Sequence, residues 1–239
     1  GEGTIGFADK DGAPFVHATA VDTIKIKFTD NVAKFDINDI LVSKLSDRDE
    51  AMKDVKDGVA DSVYGMEIAG VETELDGGKT VVYITTGDDM PYYLDGSLYV
   101  HIIGDDSENA YGEKLSTAVS PEVLDKIAPK VDKAEAGKDV VFAATGNTIT
   151  IKFTEDLDDT YEGRYAHDLV IVNRDGDTLV ALDDYETTVS GDTITVTIKD
   201  VAENAVKGLD KYTIKSKDSV NYIKDLNGNT AESFKLVKN

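Results

Sequence analysis

The chain has 239 residues, with 47 Asp and Glu against 25 Lys and Arg, a net charge of −22, and no cysteine. The charge excludes nucleic acid as a partner, because a polyanion would be repelled. The missing cysteine excludes disulfides, cysteine–zinc sites and thiol nucleophiles together. No apolar run approaches the roughly 20 residues that cross a bilayer, and the 41% hydrophobic fraction sits in β-branched, strand-patterned runs rather than in a disordered pattern.

Taken in order, the start Gly1-Glu2-Gly3-Thr4 has no signal-peptide character and reads as a mature chain or a cut fragment. Ile5-Gly-Phe7 and Phe15-Val16 flank Asp9-Lys-Asp11-Gly12, a hairpin turn. Asp22–Asp30 then alternates Ile24, Ile26 and Phe28 with polar residues, which places three side chains on one sheet face. A strand at Ile40–Val42 precedes a helix over about 46–60, with Ser46 as cap, acids in the first turn, and Ala51, Met52, Val55 and Val59 at helical spacing. Strands follow at Met66–Ile68, Val71–Leu75, Thr80–Thr85 and Leu98–Ile103. Ser120-Pro121-Glu122 signals a short helix running to Ile127, and the domain junction is placed there.

Past the junction the pattern returns. Asn147–Glu155 repeats the strand of Asp22–Asp30 at an offset of 125, with Ile149, Ile151 and Phe153 in the apolar positions. Strands are expected at Val140–Phe142, Leu169–Val172, Thr178–Leu182, Thr187–Val189, Thr193–Ile198, Tyr212–Lys215, Tyr222–Ile223 and Phe234–Val237, with hairpin turns at Asp175-Gly176 and Ser190-Gly191-Asp192. Gly77–Thr85 aligns with Ser190–Ile198 at an offset of 113; Ile40 to Gly77 spans 37 positions where Leu169 to Ser190 spans 21, so the first copy carries 16 extra residues there, the size of the helical segment. The reading is all-β: two tandem sandwiches, 1–127 and 128–239, with the helix an insertion into the first.

Several stretches resemble bacterial Ig-like domains strung in tandem in surface-layer and other cell-surface proteins. They are Ile127-Ala-Pro129-Lys-Val131, the Thr-Ile-x-Ile-x-Phe-Thr strand with Glu155-Asp156-Leu157 behind it, the Tyr212-Thr-Ile strand after a Gly-Leu-Asp turn, and the closing Ile223-Lys-Asp225-Leu-Asn227-Gly-Asn229. The closing pattern is intact only in the second copy; the first has Asp105-Asp106-Ser-Glu108-Asn109-Ala-Tyr-Gly112. The resemblance implies Ig-like sandwiches in an extracellular, non-catalytic module on the cell surface. Such a module assembles with copies of itself and with neighbouring domains of the same chain, and reaches cell-wall polymer only through other domains. Ca²⁺ at loops and junctions commonly stiffens such arrays.

The candidate ligands are all oxygens. Asp225-Leu-Asn227-Gly-Asn229 begins like an EF-hand but has Thr230 at its sixth position and Leu236 at its twelfth, which excludes that loop. An Asx turn bonded to its own backbone and a different Ca²⁺ site both remain open for it. Asn173-Arg-Asp175-Gly-Asp177 has the same spacing but reads as a hairpin. Glu155-Asp156-Leu-Asp158-Asp159 packs four acids into five residues, a density that favours a bound cation or rotation into solvent; Asp30 and Asp36 are the sparser counterparts. With Asp125 and Asp132 near the junction, the expected calcium set is Asp125, Asp132, Asp156, Asp158, Asp159, Asp225, Asn227 and Asn229. His17, His101 and His167 form no zinc-hydrolase spacing, and no nucleophile elbow, P-loop or dinucleotide fingerprint is present, so no enzyme is expected. Tyr83, Tyr92, Tyr93 and Tyr99 leave open a sugar-binding adhesin. An accessory module of an extracellular hydrolase is the other alternative.

Overall fold

A computed structural model describes residues 3–55, 62–90, 94, 97–132, 141–142, 146–199 and 212–234. The chain divides into two compact units, Gly1–Ile127 and Ala128–Asn239.

Unit 1 contains β1 (Asp9–Lys10), β2 (Ala13–Pro14), β3 (Val16–Ala20), β4 (Thr23–Lys27), β5 (Ile40–Ser43), α1 (Arg48–Asp54), β6 (Ile68–Asp76), β7 (Lys79–Thr86), β8 (Tyr99–Ile102) and β9 (Leu124–Asp125). One sheet runs β6-β7-β4-β3-β9, and a β5-β8 pair forms the second. Val16, Ala18, Ile24, Ile26, Val82 and Ile84 of the first sheet share a core with Ile40, Val42, Val100 and Ile102 of the second. Two sheets closed over one core make a sandwich.

Unit 2 contains β10 (Val141–Phe142), β11 (Thr148–Lys152), β12 (Leu169–Val172), β13 (Tyr185–Ser190), β14 (Thr193–Ile198) and β15 (Thr213–Ser216). Its sheets are β10-β11-β14-β13 and β12-β15. Ile149, Ile151, Ile194 and Val196 meet Leu169, Ile171 and Ile214 across the core. The molecule is all-β, two β-sandwich units one after the other in the chain, with α1 inserted in the first.

The repeated strand is central in both units: β4 lies between β3 and β7, and β11 between β10 and β14. Its apolar positions Ile24, Ile26, Phe28, Ile149, Ile151 and Phe153 are all buried. Just beyond each strand the phenylalanine N–H donates to the facing hairpin, Phe28 to the Thr80 carbonyl (3.0 Å) and Phe153 to that of Asp192 (2.8 Å), and the ladders match Val82 with Ile194, one residue off the alignment read from the sequence. Truncating either ring to alanine should cost about 3–5 kcal/mol, since the cavity adds to the lost transfer energy.

Several expectations are corrected. Residues 121–127 are extended rather than helical. Val100 N–H donates to the Pro121 carbonyl and Val123 N–H to that of Leu98, and β9 pairs in parallel with β3. Alternate burial of Val123 drives this, because an apolar residue can join the core by adding a strand as well as by winding a turn. The cap of α1 is Asp47, whose carboxylate accepts from Glu50 N–H, and not Ser46. Met66–Ile68 and Val71–Leu75 are replaced by one strand, β6, with a register shift between Ile68 and Gly70. Thr178–Leu182 and Tyr222–Ile223 make only isolated bridges around them, because their backbones are tied to side chains and turns. A 3-10 segment, Asp159–Asp168, kinked at Tyr161, was not foreseen, and it occupies what the acid run made look like plain loop. Val59, Tyr92, Tyr93, Val140, the Gly208-Leu209-Asp210 turn and residues 235–237 lie outside the described residues.

Candidate functional site

Each unit enters its second sheet through a buried aspartate at the end of a 3-10 turn. Asp39 closes Ile37–Asp39 and leads into β5; Asp168 closes Asp159–Asp168 and leads into β12. Asp39 accepts from Asp106 N–H (3.3 Å) and Ser107 N–H (2.5 Å). Asp168 accepts from Asn221 (3.0 Å), Tyr222 (2.7 Å) and Ile223 (2.8 Å) N–H groups. Both carboxylates are at most 1% exposed, and a buried charge is tolerated here because fixed backbone dipoles replace its water. Sequence reasoning missed this pair; the signal was an Asp immediately before the apolar strands Ile40–Val42 and Leu169–Val172 in both copies.

The segment held by each aspartate runs straight into the closing loop. In unit 2, Asp225 Oδ1 accepts from Asn227 (2.9 Å) and Asn229 (2.7 Å) N–H, Asp225 N–H reaches the Asn229 carbonyl (3.1 Å), and Gly228 N–H reaches the Asp225 carbonyl (3.2 Å). This is the Asx turn bonded to its own backbone. Asn109–Glu113 in unit 1 forms the same loop: Asn109 Oδ1 accepts from Tyr111 (2.9 Å) and Glu113 (3.0 Å) N–H, with the matching pair of backbone bonds. Asn173–Asp177 is a third instance, with Asp175 and Asp177 N–H on Asn173 Oδ1. The fourth residue is glycine each time, at φ 77°, 93° and 84° for Gly112, Gly176 and Gly228, where a Cβ would be strained. The closing loop is therefore present in both copies, a correction to the expectation that only the second keeps it. Its polar residues had been exchanged: an amide leads and a carboxylate ends the unit 1 loop, and the reverse holds in unit 2.

That exchange alters the chemistry beside the repeated strand. In unit 1, the Asn109 amide donates to Asp30 (2.8 Å) and to Glu113 (2.5 Å), so one NH2 bridges two carboxylates. The Asn109 bond is the main reason the Asp30 carboxyl is held below its ordinary pKa. In unit 2, Glu155 stands where Asp30 does and Asp225 where Asn109 does, with carboxylate oxygens within 4.8 Å of each other. Asp225 is 2% exposed and accepts Asn229 Nδ2 (2.8 Å) on its other oxygen. Two oxygens bound to one Ca²⁺ at about 2.3–2.6 Å each stand at most about 5 Å apart, so this pair fits one ion.

Local bonds engage several of the other expected residues. Leu157 is buried and pins the acid run, which leaves Asp156 and Asp159 exposed on either side. Asp158 caps the 3-10 segment by accepting from Thr160 N–H (2.9 Å), and its bonds with Thr160 hold its carboxyl below the ordinary range. Asp125 Oδ1 accepts from Ile127 N–H (2.9 Å) at the end of unit 1. Asp132 N–H joins the Lys152 carbonyl (2.8 Å) beside the Val131–Phe153 bridge of unit 2. Asn227 lies in the closing loop, and Glu155 was not in the expected set.

His101 and Tyr83 each have hydrogen-bond partners within unit 1. His101 is buried, with Nε2 at 2.8 Å from the Leu45 carbonyl and Nδ1 at 2.7 Å from Ser120 Oγ. A carbonyl only accepts, so Nε2 bears a hydrogen; burial is the main cause that lowers the ring's pKa. Tyr83 donates to Glu74 (2.7 Å). Among the described residues no helix is long and apolar enough to cross a membrane.

No protein-family model and no curated protein matches this sequence. Among solved structures, the crystal structure of the Group B Streptococcus pullulanase SAP is similar at 13% identity and a TM-score of 0.28, over 84% of this chain and 21% of that one. The I9–I11 tandem from titin is similar at 10% identity and a TM-score of 0.24, over 90% of this chain and 62% of that one. The chain spans less than two thirds of either. At these scores neither likeness bears on what the chain does.

Proposed function

We propose that this chain is a non-catalytic structural module of a bacterial surface layer, outside the cell, which assembles with copies of itself and is stiffened by Ca²⁺ between Glu155 and Asp225. The observation that carries the calcium part is the exchange within one scaffold. Where unit 1 has an amide donating to two carboxylates, unit 2 has a second carboxylate within 4.8 Å of the first. A hard divalent cation takes oxygen ligands of this kind. The surface-layer part is supported by the resemblance of the repeated strand and closing loop, and by a scaffold built twice. Neither an adhesin nor a hydrolase accessory role has an observation of its own in its favour. Of the two candidate stacking rings among the described residues, Tyr83 is engaged by Glu74 and by Lys25 at 5.2 Å from its centroid, and Tyr99 stacks beside His101 with centroids 6.5 Å apart.

The test is a thermal melt with Ca²⁺ against chelator on the intact chain and on Asp225→Asn. A ligand of the native state raises stability by about 2.7 kcal/mol at 100 times its Kd. The wild type should melt higher in millimolar Ca²⁺, and the variant, which regains an amide donor toward Glu155, should not respond. A wild-type midpoint indifferent to Ca²⁺ would remove the cation from the proposal.

A further inference from the structure

The outer face of the five-stranded sheet of unit 1 is unlike the rest of that unit. Residues paired across a ladder share a face, so the registers His17–Lys25, Lys25–Tyr83 and Tyr83–Glu72 form one row pointing away from the core. Phe15 stacks on His17 with centroids 4.3 Å apart. Lys10 Nζ lies 5.1 Å and Lys25 Nζ 5.8 Å from the Phe15 centroid, and Lys25 also sits over Tyr83. Lys126 joins them, since Lys10, Lys126 and Lys25 all act to depress His17 after burial itself, opposed by Asp11 alone.

Three lysines therefore converge on one aromatic pair in a unit holding 26 acidic and 11 basic residues, a net −15 over Gly1–Ile127. Among the described residues no carboxylate lies within salt-bridge distance of Lys10, Lys25 or Lys126, whereas Lys27 on the same strand as Lys25 is paired with Asp76 at 2.6 Å. Aromatic faces hold Lys10 and Lys25 by cation–π attraction. Some of the side-chain entropy that an anion would otherwise have to remove is thus already lost before it arrives.

We propose that this face, Lys10, Lys25 and Lys126 around the Phe15 ring, docks the Asp156 and Asp159 carboxylates of a second copy of this chain; His17, stacked on that ring, is only 7% exposed. The proposal deepens the self-association reading above and rests on it. Charge complementarity selects the occupant. Glu155–Asp159 is a run of four acids in five residues; Glu155 is turned to Asp225 and Asp158 to Thr160, while Asp156 and Asp159 are exposed. The buried Leu157 between them holds the run in place, so both partners are presented in fixed positions. Because the basic face is on unit 1 and the acid run on unit 2, the contact is head to tail. Such a contact extends into an open array unless its rotation closes a ring.

The experiment is sedimentation velocity on the intact chain and two charge-reversed variants, Lys10→Glu/Lys25→Glu and Asp156→Lys/Asp159→Lys, each checked for an unchanged circular dichroism spectrum. Wild type should self-associate, less strongly as salt rises from about 50 mM to about 300 mM. Each variant alone should associate at least about tenfold more weakly, and an equimolar mixture should recover association, because one intact contact and one swapped contact are then available. Variants that associate as wild type would overturn the docking face and leave the array reading standing. A wild type that stays monomeric throughout would overturn both. Retention of wild type on an acidic polysaccharide, lost in the lysine variant while self-association persists, would assign the face to a glycan and overturn the second-copy assignment.

Discussion

The loop that closes unit 1 opens with Asn109, and the loop that closes unit 2 opens with Asp225; the backbone hydrogen bonds around the two are the same. What differs is the sign of the group offered to the neighbouring strand end. Asn109 offers hydrogens to Asp30, whereas Asp225 offers an oxygen to Glu155. The scaffold is thus insensitive to whether an amide or a carboxylate leads the loop, since both supply the oxygen that accepts two N–H groups. The local electrostatics are highly sensitive to it. Duplication preserved the turn and left each copy free to resolve its acids differently, one with an internal amide and the other, on the reading above, with a cation.

The largest effect expected lies beneath both loops. Asp168→Ala removes a buried acceptor of three backbone N–H groups and should cost upwards of about 3 kcal/mol, with Asp39→Ala, an acceptor of two, costing less. Denaturant unfolding followed by circular dichroism checks the order; equal losses would mean that these bonds are not what the aspartates contribute. Next comes the exchange itself. Asn109→Asp should destabilise unit 1 by about 1–2 kcal/mol without Ca²⁺, because two donated bonds become repulsions, and part of that loss should return on adding Ca²⁺. Asn109→Ala should let the Asp30 carboxyl rise toward its ordinary pKa, read from its carbon-13 shift against pH.

A smaller difference concerns acid. Burial holds His101 neutral in unit 1 with its pKa depressed, and burial with nearby lysines does the same to His17. The unfolded chain takes up these protons first as pH falls. The stability involved is therefore complete above the ordinary histidine range and is lost as pH drops through it toward the depressed folded values. His101→Gln should flatten that part of the stability–pH curve, and an unchanged slope would exclude His101 as its source. The smallest effect separates two buried tyrosines of unit 2. Tyr185 donates to the Ala166 carbonyl at 2.8 Å, and burial pushes its pKa to about 12. The Tyr212 hydroxyl is buried with no hydrogen-bond partner among the described residues. Tyr185→Phe should cost about 1 kcal/mol, while Tyr212→Phe should be neutral or slightly stabilising.

Much of the scaffold was legible before any coordinates. Ile24, Ile26 and Phe28, repeated as Ile149, Ile151 and Phe153, declare a half-buried strand twice because a period of two has a single physical reading on a pleated chain. The hairpins at Asp11-Gly12 and Gly191-Asp192 were equally plain, since both need backbone that glycine supplies. Ser120-Pro121-Glu122 misled because a cap and a proline report local preference, while Val123 gained more from joining the sheet edge. Asp39 and Asp168 were lost among 47 acids, because composition does not separate a buried carboxylate from a solvated one and only their shared place just before an apolar strand marks them.

The chain alone therefore determined what is periodic and local: the alternation, the turns, the duplication and the excess of negative charge. Tertiary structure decided which acids are spent on backbone N–H groups, which face solvent, and which one meets another carboxylate where the sister unit has an amide. The reason is physical. Hydrophobic alternation acts over neighbouring residues and is written along the sequence, whereas the state of a carboxylate depends on groups brought to it across the fold, such as Asp225, 70 positions beyond Glu155.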